Sequence, residues 1–156
     1  MSSYQIDQID QKILSFLVKN ARMPFLEIAR ECNVSGAAIH QRVKRLETNG
    51  VITGSRLLVK PQALGLNVCA FVSVTLSEAN KYPEVIEAFK KISEVVECHF
   101  TTGQYDMFIK LVARNNDHLL HIIHEKLQHL GLSRTESLIS FKEVFKRQIP
   151  IEKQNG

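Results

Sequence analysis

What the chain lacks narrows its function first. Among its 156 residues no apolar run approaches the roughly 18 needed to cross a bilayer, so no membrane partner is expected. The opening residues, MSSYQIDQIDQK, carry acids where a secretory leader has a basic stretch and an apolar core. Cysteine is sparse: Cys32, Cys69 and Cys98 are odd in number, widely spaced and nowhere paired as C-x-x-C. That pattern argues against a disulfide framework and against a cysteine zinc site, and it fits a reducing cytoplasm. A Gly-rich phosphate loop, H-E-x-x-H, G-x-S-x-G and a Cys/His nucleophile pair are all missing. The neighbouring carboxylates Glu94 and Glu97 read as surface charges, so neither catalytic residues nor a bound cofactor is expected.

Composition is that of an ordinary globular protein, with 44% hydrophobic and 23% charged residues, so disorder is not expected. The net charge of +4 is unevenly placed. Residues 1–60 hold nine Lys/Arg against five Asp/Glu, whereas the remainder is balanced at eleven of each. Arg42, Lys44, Arg45, Arg56 and Lys60 face a single acid, Glu47, between Gly36 and Lys60, so a polyanion is drawn to that segment first. Charge alone is equally compatible with a solvated helix face.

Periodicity supplies the geometry. Ile6, Ile9, Ile13, Phe16 and Leu17 recur at helical steps. Pro24 opens a short second helix that turns Phe25, Ile28 and Ala29 inward, and Asn33-Val34 ends it. Ser35 then caps a third helix with Ile39, Val43 and Leu46 as its buried stripe and Asn49-Gly50 as its stop. Two helices joined by a tight turn form a helix-turn-helix. At 100° per residue Ala37, Ala38, Gln41, Lys44, Arg45 and Thr48 fall on the outward face. Small alanines admit a major groove, Gln41 suits adenine, and Lys44 and Arg45 suit guanine or phosphate. His40 lies beside this face near phosphate. Val51–Ile52 and Arg56–Val59 are expected to pair as a small wing that brings Arg56 to a phosphate. A plain three-helix bundle with a solvated third helix is the alternative.

From Asn67 the pattern becomes strand-rich. A strand over Val68–Leu76 and a helix bearing Val85, Ile86, Phe89 and Ile92 are followed by strands over Val95–Thr102 and Tyr105–Ala113, which meet at Gly103-Gln104. A helix from Asn116 to Leu130 and a strand from Thr135 to Gln148 complete a ferredoxin-like βαββαβ order. The fold class is therefore α+β, with a winged helix-turn-helix at 1–53, a linker or hinge strand at 54–65 and a ferredoxin-like body at 66–156. Both sheet faces look apolar, and two helices cover only one, so the chain is expected to form at least a dimer. On the second helix of the body His118, His121, Glu125 and His129 share a stripe opposite Leu119, Ile122, Ile123, Leu127 and Leu130, and they are read as its solvated side and not as a metal site.

The segments IDQIDQKIL, VSGAAIHQRVKRLETNGVITG, TTGQYDMFIK and TESLI, in that order and spacing, resemble the leucine-responsive regulatory protein/AsnC (feast/famine) family, nearest its AsnC-like branch. The likeness runs from about Tyr4 to Ile149. It implies a bacterial or archaeal, nucleoid-associated transcription regulator that binds double-stranded DNA, senses an amino acid or related metabolite between C-terminal domains, and assembles dimers into octamers. A ligand-independent DNA-architectural protein and a small-molecule enzyme with a docking head are the other readings. Gly36 replaces a proline common in the family, and Asp106 replaces a hydroxyl residue of the AsnC branch, which bears against asparagine as the ligand.

A zwitterion needs donors for its carboxylate and acceptors for its ammonium. Gly103 allows a tight turn with exposed N–H groups, Thr101, Thr102 and Gln104 add polar groups, Tyr105 walls the site and Asp106 accepts the ammonium. The resemblance adds Thr135, Glu136 and Ser137 to this effector site.

Overall fold

A computed structural model describes residues 4–151. It separates into two compact units, one made of the residues up to Leu57 together with those from Phe145, the other of Leu58–Val144. The second unit thus begins inside the expected linker and ends before the tail.

In the first unit, helices α1 (Gln8–Lys19), α2 (Phe25–Cys32) and α3 (Gly36–Thr48) enclose Ile13, Ile28, Ala29, Ile39 and Val43. The stop at Asn33 and the cap at Ser35 operate as read, Pro24 stands just before α2 and not within its first turn, and α1 has a cap that its periodicity did not announce. Asp7 caps α1 in a reciprocal capping box with Asp10. Asn33 ends α2 with φ 56°, a left-handed conformation Asn tolerates. The Ser35 hydroxyl accepts the Ala38 N–H at 3.1 Å, filling one of the donors left open at the start of α3.

The expected wing is not formed: residues 53–60 carry no strand. The reason lies at the end of α3, where Gly50 turns left-handed and the Val51 and Ile52 N–H groups both donate to the Leu46 carbonyl. Ile52 then packs against the helical core. Groups that would have started a ladder are spent closing the helix. Arg56 consequently sits on exposed, unladdered chain.

The second unit runs β1 (Val68–Leu76), α4 (Tyr82–Lys91), β2 (Val95–Phe100), β3 (Met107–Ala113), α5 (Asn116–His121) and β4 (Leu132–Ser140). All strand pairs are antiparallel in the order β2-β3-β1-β4, the ferredoxin-like arrangement. Register sends Ala70, Val72, Val74 and Leu76 to the same face as Met107, Ile109, Leu111 and Ala113. There they bury against Val85, Phe89, Leu119, Ile122 and Leu127 from the helical side. The last helix changes pitch beyond α5, becoming π-helical over Ile122–Leu127 and 3-10 over Gln128–Leu130.

Two expectations fail in this unit. The final strand stops at Ser140, not Gln148, because its partner β1 begins at Val68 and the last rung pairs Cys69 with Ser140. Farther on, the chain has no ladder to join. The second sheet face is also less apolar than expected. Phe71, Phe108 and Leu138 share it with Lys110, Glu136 and Arg134. Lys110 reaches Glu97 at 3.5 Å and lies 5.8 Å from the Phe71 ring centre.

Candidate nucleic-acid interface and effector site

Burial of Ile39, Val43 and Leu46 fixes the rotation of α3. Ala37, Gln41, Lys44, Arg45 and Thr48 are exposed as a result, and Ala38 is half-buried. Ser35, Ala37, Ala38, His40, Gln41 and Lys44 line one open notch, together with Phe25 and Leu26 of α2. Neither is singled out by the sequence as part of this surface: Phe25 reads there as core, and Leu26 carries no signal. The Thr48 hydroxyl donates back to the Lys44 carbonyl at 2.8 Å.

Arg42 does not join this surface. Its Nη1 donates to Asp7 Oδ2 at 2.6 Å and to Asp10 Oδ1 at 2.8 Å, and Asp10 is 1% exposed. Asp10 also accepts the Tyr4 hydroxyl, and Arg45 lies over the Tyr4 ring at 5.3 Å. Although burial alone would raise it, the Asp7 carboxyl is held below its ordinary value by the Asp10 N–H and the Arg42 guanidinium. Arg42 therefore ties α3 to the start of α1, correcting its inclusion with the DNA-facing cations. The outward face formed by Ala37, Gln41, Lys44, Arg45 and Thr48 is cationic or neutral, while Glu47 is exposed near the end of the helix.

In the second unit the β2–β3 turn brings part of the expected effector cluster together. Gly103 has φ 105°, open to glycine and strained for other residues. The Thr101 hydroxyl donates to the Tyr105 carbonyl at 2.8 Å and its N–H to the Asp106 carbonyl at 2.9 Å. The Tyr105 hydroxyl donates to Glu136 and is approached by the Gln104 amide at 3.2 Å. That bond to Glu136 is the main reason the Tyr105 hydroxyl titrates above its ordinary value. Glu136 also pairs with Arg134. Arg134 was missed, yet strand alternation carries the signal, since residues two apart share a face. Alternation equally divides the expected trio: Thr135 and Ser137 fall in the Val74 and Val72 rows, opposite to Glu136. Thr102 is exposed beside Gly103.

Asp106 differs from expectation. Its Oδ2 accepts the Leu76 N–H at 2.8 Å, and its own N–H donates to the Val74 carbonyl at 2.9 Å. The carboxylate clips the turn to the end of β1, so only part of its accepting capacity remains for a ligand.

The histidine stripe is likewise divided. His121, Glu125 and His129 are exposed, but the His118 side chain is only 14% exposed, with Nε2 3.4 Å from Glu94. Its Nδ1 accepts the Arg114 N–H. No group of three or more His, Cys, Asp or Glu among the described residues is arranged to hold a metal ion.

Comparison with known proteins joins the two units. Residues 6–47 match the AsnC-type helix-turn-helix domain and residues 69–150 the Lrp/AsnC ligand binding domain. The chain belongs to the Lrp/AsnC family. Within that family it is 37% identical over 150 residues to Regulatory protein AsnC of Escherichia coli K12, covering 96% of this chain and 99% of that one. It is 36% identical to the HTH-type transcriptional regulator FL11 of Pyrococcus furiosus, covering 88% and 90% of the two chains. The solved structure of E. coli AsnC superposes with a TM-score of 0.87 over 94% of this chain and 99% of that one. A Neisseria meningitidis transcriptional regulator solved with L-Met shares the fold at TM-score 0.88 and 24% identity, covering 94% and 97%. These Lrp/AsnC relatives are named as regulators and not as enzymes.

Proposed function

We propose that this protein is a sequence-specific, double-stranded-DNA-binding transcription regulator of the bacterial or archaeal cytoplasm. Its DNA affinity or assembly responds to an amino acid or related metabolite held at the C-terminal domains of a homo-oligomer. The observation that carries the reading is α3: a serine-capped helix whose buried stripe leaves alanine, glutamine and lysine outward, with Asp7 and Asp10 of the α1 start held by Arg42. Family membership supports it, as does the matched ligand-binding domain.

For the effector, Glu136 supplies an acceptor for an ammonium group, while Arg134 and the turn around Gly103 supply donors for a carboxylate. L-Met complexes of fold relatives from Neisseria meningitidis and Mycobacterium tuberculosis make amino acids the first ligands to test. Such a ligand shifts DNA binding only if it binds two states unequally. Mobility-shift titrations on a selected duplex, with and without each of the twenty amino acids, test both halves. At least one amino acid is expected to change the apparent affinity about five-fold or more. Binding indifferent to all of them favours the ligand-independent architectural alternative, and no DNA binding even at low salt rejects the regulator reading.

A further inference from the structure

The notch between the first turn of α2 and the start of α3 holds an apolar cluster on a surface that is otherwise polar. Leu26 is 67% exposed, follows half-buried Phe25, and lines the notch together with Ala37 and Ala38. Gly36 makes room for it: a Cβ at that position would stand 3.2 Å from Leu26 Cδ2, closer than ordinary van der Waals contact. Ser35, His40, Gln41 and Lys44 supply the polar part of the lining, and no acid contributes.

This combination selects among the groups a major groove displays. Base edges there carry hydrogen-bond donors and acceptors, and the single apolar group among them is the 5-methyl of thymine. A cluster of exposed apolar side chains has no use for a phosphate or a base amide, but it fits a methyl. The amide of Gln41 can pair with the N6 and N7 of an adjacent adenine, and the Lys44 ammonium with guanine N7/O6 or the flanking phosphate. We infer that the Leu26–Ala37–Ala38 notch is a thymine-methyl pocket, and that it sets base preference at one thymine of each half-site. The inference rests on α3 being the DNA-reading helix.

The test begins with the full-length protein and a randomised duplex pool. In the enriched site each thymine is replaced in turn by deoxyuridine, which removes only the methyl group. One position per half-site should lose about four-fold in affinity, the value of one buried methyl-sized group. Leu26→Ala and Ala37→Ser should abolish that loss while leaving the salt dependence unchanged, since neither residue meets a phosphate. Leu26 is largely exposed, so its removal should leave the fold intact, and melting temperature checks this. If deoxyuridine is harmless everywhere, or equally harmful to the wild type and Leu26→Ala, the pocket is refuted while DNA reading stands. If Leu26→Ala instead changes the sedimenting species and leaves the deoxyuridine loss in place, the notch is a contact between protein copies. If no duplex is enriched, both the DNA-reading helix and its pocket are rejected.

Discussion

At the scale of single residues, charge and position separate in the helical head. Arg42 and Lys44 stand two residues apart and are both basic, yet one is committed to Asp7 and Asp10 and the other is exposed. Lys44→Ala should lower the slope of log affinity against log salt by about one. Arg42→Ala should leave that slope alone and lower the melting temperature, because Asp10 loses its cation while buried. Removing one partner of an enclosed ion pair costs about 3–5 kcal/mol, and somewhat less here with Arg42 a quarter exposed. An unchanged melting temperature with a reduced slope would return Arg42 to the DNA surface. The body offers a parallel contrast. Asp106→Ala should destabilise by about 1–3 kcal/mol through the orphaned Leu76 N–H, which confounds its use as a ligand-site probe. Glu136→Gln keeps shape but removes the charge and one of the two acceptor oxygens, so calorimetry should find weakened effector binding, with only a modest fall in melting temperature because the pairing with Arg134 is exposed.

Among elements, the contact between the start of β2 and the last helix depends on Glu94. Its carboxylate accepts Lys126 Nζ at 2.7 Å and faces His118 at 3.4 Å. Held chiefly by the Lys126 hydrogen bond, it titrates at about 2 in place of 4.5. The unfolded chain therefore takes up this proton first on acidification. The stabilisation is intact above about pH 4.5 and disappears as pH falls toward 2. Its size is on the order of 2 kcal/mol once the one-third exposure of Lys126 is allowed for. Glu94→Gln should lower the melting temperature at pH 7 and flatten its decline between pH 4.5 and 2. A parallel decline in wild type and variant would show that Glu94 carries no such linkage. The Lys126 side chain projects from the π-helical stretch, a change of pitch with no counterpart in the hydrophobic periodicity.

At the scale of the whole molecule, the open face of the sheet is the proposed assembly surface. Phe71 is 37% and Leu138 64% exposed on neighbouring strands in register, an apolar surface that a second copy is proposed to cover. Leu138→Asp should shift sedimentation toward smaller species and weaken DNA binding, because a dimer presents two reading helices to one site. A full-sized assembly in that variant would place the interface elsewhere.

The sequence by itself determined the elements and their order, because capping residues, left-handed stops and the periods of 3.6 and 2 act within a few residues of one another. It also determined the rotation of α3, since one buried stripe leaves only one face outward. Tertiary structure alone decided which charges are spent. Arg42 meets Asp7 and Asp10 across more than thirty positions of chain, and Asp106 meets the Leu76 N–H across thirty. Where β4 ends was likewise settled by the length of its partner, and the missing wing by carbonyls that the end of α3 left open. Except at the wing, where the competing Leu46 carbonyl is only five and six residues away, each outcome depends on a group distant in sequence, and local pattern contains no record of it.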